Sequence, residues 1–227
     1  MVAMTGNTGG IGRAVARWLA EKGIGVVGFA RTPGDTDYEL DVTWPSSEVE
    51  RVIYNAYQHH GAFDAWINLA GADILQQPIR SWSYEDRLKL LWETDVEGTI
   101  RCSRAALPYL APDGCVINVG WNEALQGHRG SAGELYATAK AAVIGYSLSL
   151  AKTLGNAPRV YVACPGWVTT RWAETLSNER QQQMAQYIPG TTWQTPNMAA
   201  TLIGSLVVGR HAIETGTIRQ INFPVPC

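Results

Sequence analysis

Met4-Thr5-Gly6-Asn7-Thr8-Gly9-Gly10-Ile11-Gly12 is the stretch on which the reading of this chain turns. A very short apolar run, Val2 to Met4, precedes it, and an amphipathic segment, Arg13 to Ala20, follows directly. Strand, glycine-rich turn and helix in that order suit a dinucleotide. Glycines let the chain turn tightly and bring backbone against a ligand with no Cβ in the way. The helix that follows offers unpaired N–H groups and the positive end of its dipole to phosphate. The spacing Thr-Gly-x-x-x-Gly-Ile-Gly differs from the commoner Gly-x-Gly-x-x-Gly fingerprint. A plain turn that holds no nucleotide is the alternative reading.

The remaining sequence alternates strand-like and helix-like segments, which predicts an α/β fold with a mostly parallel, doubly wound sheet and helices on both faces. Strands are expected at Ile24 to Ala30, Tyr38 to Val42, Phe63 to Leu69, Cys115 to Val119, Val160 to Cys164 and Thr217 to Phe223, about seven with the first. Only about ten residues join Arg31 to Asp41, too few for a helix of ordinary length between the second and third strands. Helices are expected from Pro45-Ser46-Ser47 through His60, from Ser83 to Leu110 as the longest pattern, closed by Pro112 and Gly114, from Leu135 to Leu154 and from Asn197 to Val208. Residues 166 to 196 read as irregular, polar and Trp-containing, with short helices over a site. No repeat or low-complexity linker divides the chain, so residues 1–227 are expected to form a single domain.

Composition narrows the function classes. The 227 residues are 46% hydrophobic and 17% charged, a globular balance. A formal net charge of -2 gives no argument for nucleic acid or an anionic membrane as partner. No apolar run approaches the roughly 20 residues that span a bilayer. The N-terminus lacks a basic region followed by an apolar core, so no signal peptide is expected. Cys102, Cys115, Cys164 and Cys227 form no C-x-x-C pair, and His59, His60, His128 and His211 show no metal-ligand spacing. Reduced thiols and a cytoplasmic location are the expectation, with no metal.

Tyr136-Ala137-Thr138-Ala139-Lys140 carries the most specific catalytic signal. Side chains four apart share one face of a helix. An unperturbed tyrosine, with a pKa near 10, is almost entirely phenol at pH 7. A neighbouring ammonium favours the phenolate, which predicts a lowered Tyr136 pKa and a group poised to exchange a proton between alcohol and carbonyl.

The glycine turn, Asn68-Leu69-Ala70-Gly71, Tyr136-x-x-x-Lys140 and Pro165-Gly166-Trp167-Val168-Thr169-Thr170, in that order, resemble the short-chain dehydrogenase/reductase family from Thr5 to about Phe223. The likeness is to classical-type members of the 3-oxoacyl-carrier-protein-reductase kind. It implies a Rossmann-type sheet and an oxidoreductase that passes hydride between NADP(H), less readily NAD(H), and a carbonyl or alcohol. Cofactor would be held by Thr5, Gly6, Asn7, Thr8, Gly10, Ile11 and Gly12, with Asp41 and Val42 at the adenine. Asn68, Ala70 and Gly71 would flank the cofactor, with Tyr136 and Lys140 at the nicotinamide ribose. Pro165, Gly166, Val168 and Thr170 would lie beside the nicotinamide. Arg31, where NADP-preferring members often carry a basic residue, would grip a 2′-phosphate; the family's second basic position is Gly9 here. The resemblance also implies a homodimer or homotetramer through Ser83–Leu110 and Leu135–Leu154.

Two catalytic positions depart from the family. Its serine aligns from the strand side with Trp121, whereas counting thirteen residues back from Tyr136 gives Glu123; neither has a hydroxyl. The Trp121 indole N–H could replace that donor, or Trp121 could wall an apolar pocket. Asn122, His128 and Ser131 are other polar groups nearby. The family's asparagine is Asp95, which would raise the pKa of Lys140 if it faced it, or would be a surface acid if it turned outward. The substrate end, Trp121 to Glu134 and Trp167 to Trp193, suggests an aromatic or acyl small molecule. A catalytically weakened redox sensor or partner subunit, and a serine-independent reductase of a quinonoid or pteridine-like ring, are the rival readings.

Overall fold

The structure, a computed structural model, describes residues 1–32, 34–170, 173, 176–186 and 193–221. Its strands are β1 (Val2–Thr5), β2 (Val26–Ala30), β3 (Tyr38–Glu39), β4 (Phe63–Asn68), β5 (Leu110–Val119), β6 (Arg159–Cys164) and β7 (Ile218–Gln220). They form one parallel sheet in the order β3-β2-β1-β4-β5-β6-β7. The order reverses between β1 and β4, so their carboxyl ends open a crevice at the switch point.

Alternation along the strands divides the core into two layers. Val2, Met4, Ala65, Ile67, Ile117 and Tyr161 face α1 (Gly10–Ala20) and the late helix Pro196–Val208. A Cβ on Gly204 would stand 2.2 Å from the Trp18 ring, so those two helices meet through an indole laid on a glycine. Ala3, Phe29, Trp66, Val116 and Val160 face the opposite layer, which contains α2 (Ser46–His60) and α4 (Gly98–Ala106). Among the described residues no helix lies between β2 and β3. The short link is tied down instead: Thr36 Oγ1 donates to Asn7 Oδ1 at 3.0 Å, and Asp37 Oδ2 accepts from Gly28 N at 2.7 Å.

The predicted helix over Ser83–Leu110 is corrected. It is α3 (Tyr84–Leu91), a π-turn over Trp92–Glu97, α4, and a 3₁₀ turn at Leu107–Tyr109. Ser83 caps its start by accepting from Asp86 N. Pro112 and Gly114 do not close it; they lie in β5, where the register with β4 shifts between Phe63 and Ala65 and a proline breaks no regular ladder. The longest helix among the described residues is α5, Ser131–Leu154, which starts four residues before the expected Leu135. β2 starts at Val26 because Ile24 N bonds back to Leu19 O and finishes the helix end. Thr217 precedes β7, and Phe223 lies outside the described residues. Among the described residues no helix is long and apolar enough to cross a membrane.

Under the sheet's carboxyl edge runs a buried polar network. Asn68 accepts from Trp66 Nε1 and donates to Ser103 Oγ and Asn118 Oδ1, at 2.7 to 2.9 Å, and Asn118 donates to Ser147 Oγ at 2.8 Å. Asn118→Ala strips partners from Asn68 and Ser147 in a region with no water access. The expected cost is about 1–3 kcal/mol, read as a lower urea midpoint at unchanged slope.

Candidate active site

The crevice at the ends of β1 and β4 is shaped by what has no side chain. Gly6 has φ +71°, and a Cβ there would stand 2.7 Å from Ala70 N. A Cβ on Gly12 would stand 2.2 Å from Gly6 O, so α1 docks directly on the turn. Thr5, buried, accepts from Leu69 N and Ala70 N at 3.2 Å each and ties the two strand ends together. Helix α1 is preceded by Gly9 at its N-cap, with no side-chain cap and no acidic residue in its first turn. Its first N–H groups are therefore left for an anion. The cradle and the open helix start fit the diphosphate of a dinucleotide.

A cleft of about 200 Å³ continues toward β2 and β3, lined by Thr8, Ala30, Arg31, Asp41, Val42, Ala70 and Gly71 among others. Arg31 is exposed at its rim and makes no hydrogen bond or ion pair among the described residues. Asp41 Oδ1 accepts from Thr43 N and Oγ1, which orients the carboxylate. Val42 packs where Gly98 lacks a Cβ. Three of the residues expected at the cofactor have other side-chain contacts. The Asn7 amide points to Thr36 and to Asp35 O, Ile11 packs into the core beneath α1, and the Asn68 side chain belongs to the buried network, because its strand position turns it inward.

Tyr136 and Lys140 lie one turn apart on α5, with Lys140 Nζ 5.4 Å from the Tyr136 ring centroid. Lys140 Nζ is 2.9 Å from Asp95 Oδ2 and donates to Val119 O at 3.1 Å. Asp95 comes from the π-turn, faces inward and is 1% exposed; its Oδ1 accepts from Ala72 N at 2.8 Å. Burial alone would push the Lys140 ammonium down, but Asp95 and Tyr136 hold it above its ordinary range. The expected lowering of Tyr136 is corrected. Burial pushes its phenol up, Lys140 pulls it down, and Asp95, Asp73 and Cys164 add to the rise, so the net direction is upward.

Trp121 is 6% exposed and sits edge-on to Tyr136, with ring centroids 5.3 Å apart, and it also meets His128 and Trp167. Trp167 continues the wall to Trp193. Glu123 is buried behind it: Trp167 Nε1 donates to Glu123 Oε1 at 2.8 Å, and His128 Nε2 stands 3.6 Å from Oε2. Burial raises the Glu123 carboxyl, against the pull of Trp167 and His128. Asn122 Oδ1 is buried with no hydrogen-bond partner among the described residues, 3.6 Å from where a Gly166 Cβ would stand. Ser131, exposed at the start of α5, accepts from Arg87 instead.

Pro165 is buried at the end of β6. Gly166 has φ +77°, and the chain then runs beside 193–195: Val168 bridges Gln194, and Thr169 N donates to Gln194 O at 2.8 Å. The Thr170 methyl comes 3.9 Å from where a Gly10 Cβ would stand, so this segment lies across the start of α1. Sequence reading missed the Asp95–Ala72 link, the Glu123 contacts and the orphaned Asn122 atom. The one available signal was the carboxyl at position 95, four residues after the buried Leu91.

A family model described as enoyl-(acyl carrier protein) reductase matches residues 5–222. The 3-oxoacyl-[acyl-carrier-protein] reductase FabG of Vibrio cholerae is 29% identical over 235 residues, which cover 96% of this chain and 94% of that protein. A short-chain dehydrogenase/reductase from Serratia marcescens shares the fold at a TM-score of 0.84 and 22% identity, over 97% of this chain and 95% of its own. A variant of actinorhodin polyketide ketoreductase, solved with NADPH, does so at 0.81 and 22% identity, over 97% and 95%. The family match begins at Thr5 and runs past the last described strand, taking in every element that builds this site, and the chain belongs to the short-chain dehydrogenase/reductase family.

Proposed function

We propose that this chain is an NADP(H)-dependent oxidoreductase that interconverts a carbonyl and an alcohol, with Tyr136 exchanging the proton. The observation that carries this reading is the Tyr136–Lys140 pair, set on one turn of α5 beside the crevice and held from behind by Asp95. When bound, the nicotinamide supplies hydride to the substrate carbon or takes it away. The chain's own part is to bind, orient and move the proton. The glycine cradle and the first turn of α1 hold diphosphate, Asp41 and Val42 border the adenosine, and Thr170 closes over Gly10. Lys140, ion-paired with Asp95 and donating one N–H to Val119 O, keeps an N–H for a ribose hydroxyl. Tyr136 gives its phenolic proton to the carbonyl oxygen. The wall of Trp121, Trp167 and Trp193 favours an aromatic or acyl substrate. Exposed Trp82, Tyr84 and Trp92 favour a homodimer or homotetramer built on the α3–α4 face. The buried free thiols of Cys102, Cys115 and Cys164 suit a cytoplasmic location.

NADP(H) is favoured by Arg31, an exposed guanidinium free to take a 2′-phosphate after Ala30, with no acid at that strand end. Arg31→Ala is expected to weaken NADPH binding about 10- to 100-fold, the worth of one charge-assisted hydrogen bond, and to leave NADH nearly unchanged. Titration of both coenzymes by nicotinamide fluorescence reads this. Assay against ketones, 3-oxoacyl thioesters and quinones then tests the reading itself. Turnover of a carbonyl supports it, turnover of quinones alone redirects it to a quinonoid reductase, and tight binding with no turnover would make the chain a sensor or partner subunit.

A further inference from the structure

We propose that Asp95 is a positioning residue that sets this site for carbonyl reduction rather than alcohol oxidation, by holding the Lys140 ammonium in a buried ion pair. The proposal rests on the reductase reading and deepens it.

The geometry leaves Asp95 little freedom. Oδ1 accepts from Ala72 N at 2.8 Å and Oδ2 lies 2.9 Å from Lys140 Nζ. A Cβ on Gly71 would stand 3.1 Å from Oδ2, so the chain after β4 closes on the carboxylate. The π-turn over Trp92–Glu97 delivers the residue to this spot, and wide turns of this kind cluster at functional sites. With Asp95 1% and Lys140 5% exposed, water screens neither charge.

The groups that act on Tyr136 come from every element around it. Among the described residues, Lys140 on its own helix is the one cation in that set. Asp95 comes from the π-turn, Asp73 from the loop after β4, and Cys164 from the end of β6. From the loop after β5 comes Trp121, uncharged, with Glu123 and His128 beyond it. An ammonium alone would favour phenolate. An ammonium already paired with a carboxylate presents a compact dipole, whose effect on a third group is far smaller than that of the bare cation. Burial of Tyr136 works in the same direction.

The two directions of the reaction need opposite states of that oxygen. In reduction the carbonyl carbon gains hydride from reduced coenzyme while the Tyr136 O–H bond breaks and its proton joins the carbonyl oxygen. The products are alcohol, oxidised coenzyme and a tyrosinate that solvent reprotonates. In oxidation the tyrosinate must exist first, to take the alcohol's proton. A site that keeps Tyr136 as phenol through neutral pH holds its acid ready and lacks its base.

Asp95→Asn tests this at constant shape, since the amide oxygen still accepts from Ala72 N. Tyr136 is titrated by tyrosinate absorbance in the coenzyme-free protein, with the Tyr136→Phe protein subtracted to isolate it from the other eight of nine tyrosines. Asp95→Asn is expected to lower the Tyr136 titration by about one pH unit or more, and Asp95→Glu to leave it near the parent's. The pH profile for alcohol oxidation should move down with it. If Asp95→Asn does not fold, as judged by circular dichroism, the neutral and smaller Asp95→Ser serves in its place with the same expectation. A Tyr136 titration that stays put or moves up in the neutral variant overturns the role of Asp95. A shift in absorbance without turnover of any carbonyl sinks the reductase reading, and with it the claim about direction.

Discussion

Tyr136→Phe is expected to bind NADPH as the parent does and to turn over about 10²- to 10⁴-fold more slowly, the range that a positioned proton donor contributes. The substitution removes one oxygen and little else. The ring still meets the edge of Trp121 and still lies under Lys140 Nζ, so packing in this corner survives. Steady-state kinetics should show the loss in kcat with KM for coenzyme unmoved. A loss of tenfold or less would mean that another group delivers the proton. The same assay carries a pH expectation. Because burial and Asp95 outweigh Lys140, the Tyr136 phenol titrates above its ordinary 10.0. Reduction should hold level through neutral pH and decline only in strongly alkaline solution, as the proton donor is lost.

Lys140→Met is expected to cost the fold as well as the reaction. The parent pair is buried at both ends, and removing the cation leaves the Asp95 carboxylate without a counter-charge at 1% exposure. Breaking a buried pair from one side costs about 3–5 kcal/mol, because a stranded charge is worse than no charge. Urea unfolding should show a lower midpoint. Adding Asp95→Asn to Lys140→Met should restore most of that stability, since the remaining amide is neutral and keeps its bond from Ala72 N. Activity should not return, because the ammonium that reaches the ribose is still missing. The pH dependence has a definite sign. Lys140 titrates above its ordinary 10.5 when folded, so its contribution to stability is fully present below that pH and is lost only as pH rises through the folded value.

Some of this site can be read from the chain and some cannot, for physical reasons. The β1–turn–α1 unit is legible because glycine spacing and a switch from strand to helix period are local signals. Tyr136 and Lys140 are legible because four residues on a helix fix a shared face. The π-turn at Trp92–Glu97 is not, since what stabilises it is the meeting of Asp95 with Ala72 and Lys140, which lie 23 residues before it and 45 after it. Pro112 and Gly114 look like helix stops until the slip of register against β4 is seen. Asn68 sits where a cofactor contact is expected, yet the face its strand presents turns the side chain to Ser103 and Asn118. The direction of the Tyr136 shift depends on burial and on carboxylates from other elements. Helical spacing shows the Lys140 attraction and none of the effects that oppose it.

Hydride transfer itself is the most direct test of the central claim. NADPH deuterated at either face of nicotinamide C4 would be incubated with the protein and the carbonyl panel, and the products examined by NMR. Deuterium from one face only, found on the carbinol carbon of a product and formed far more slowly with Tyr136→Phe, is the predicted result. Coenzyme that binds tightly while deuterium reaches no product from either face would contradict it.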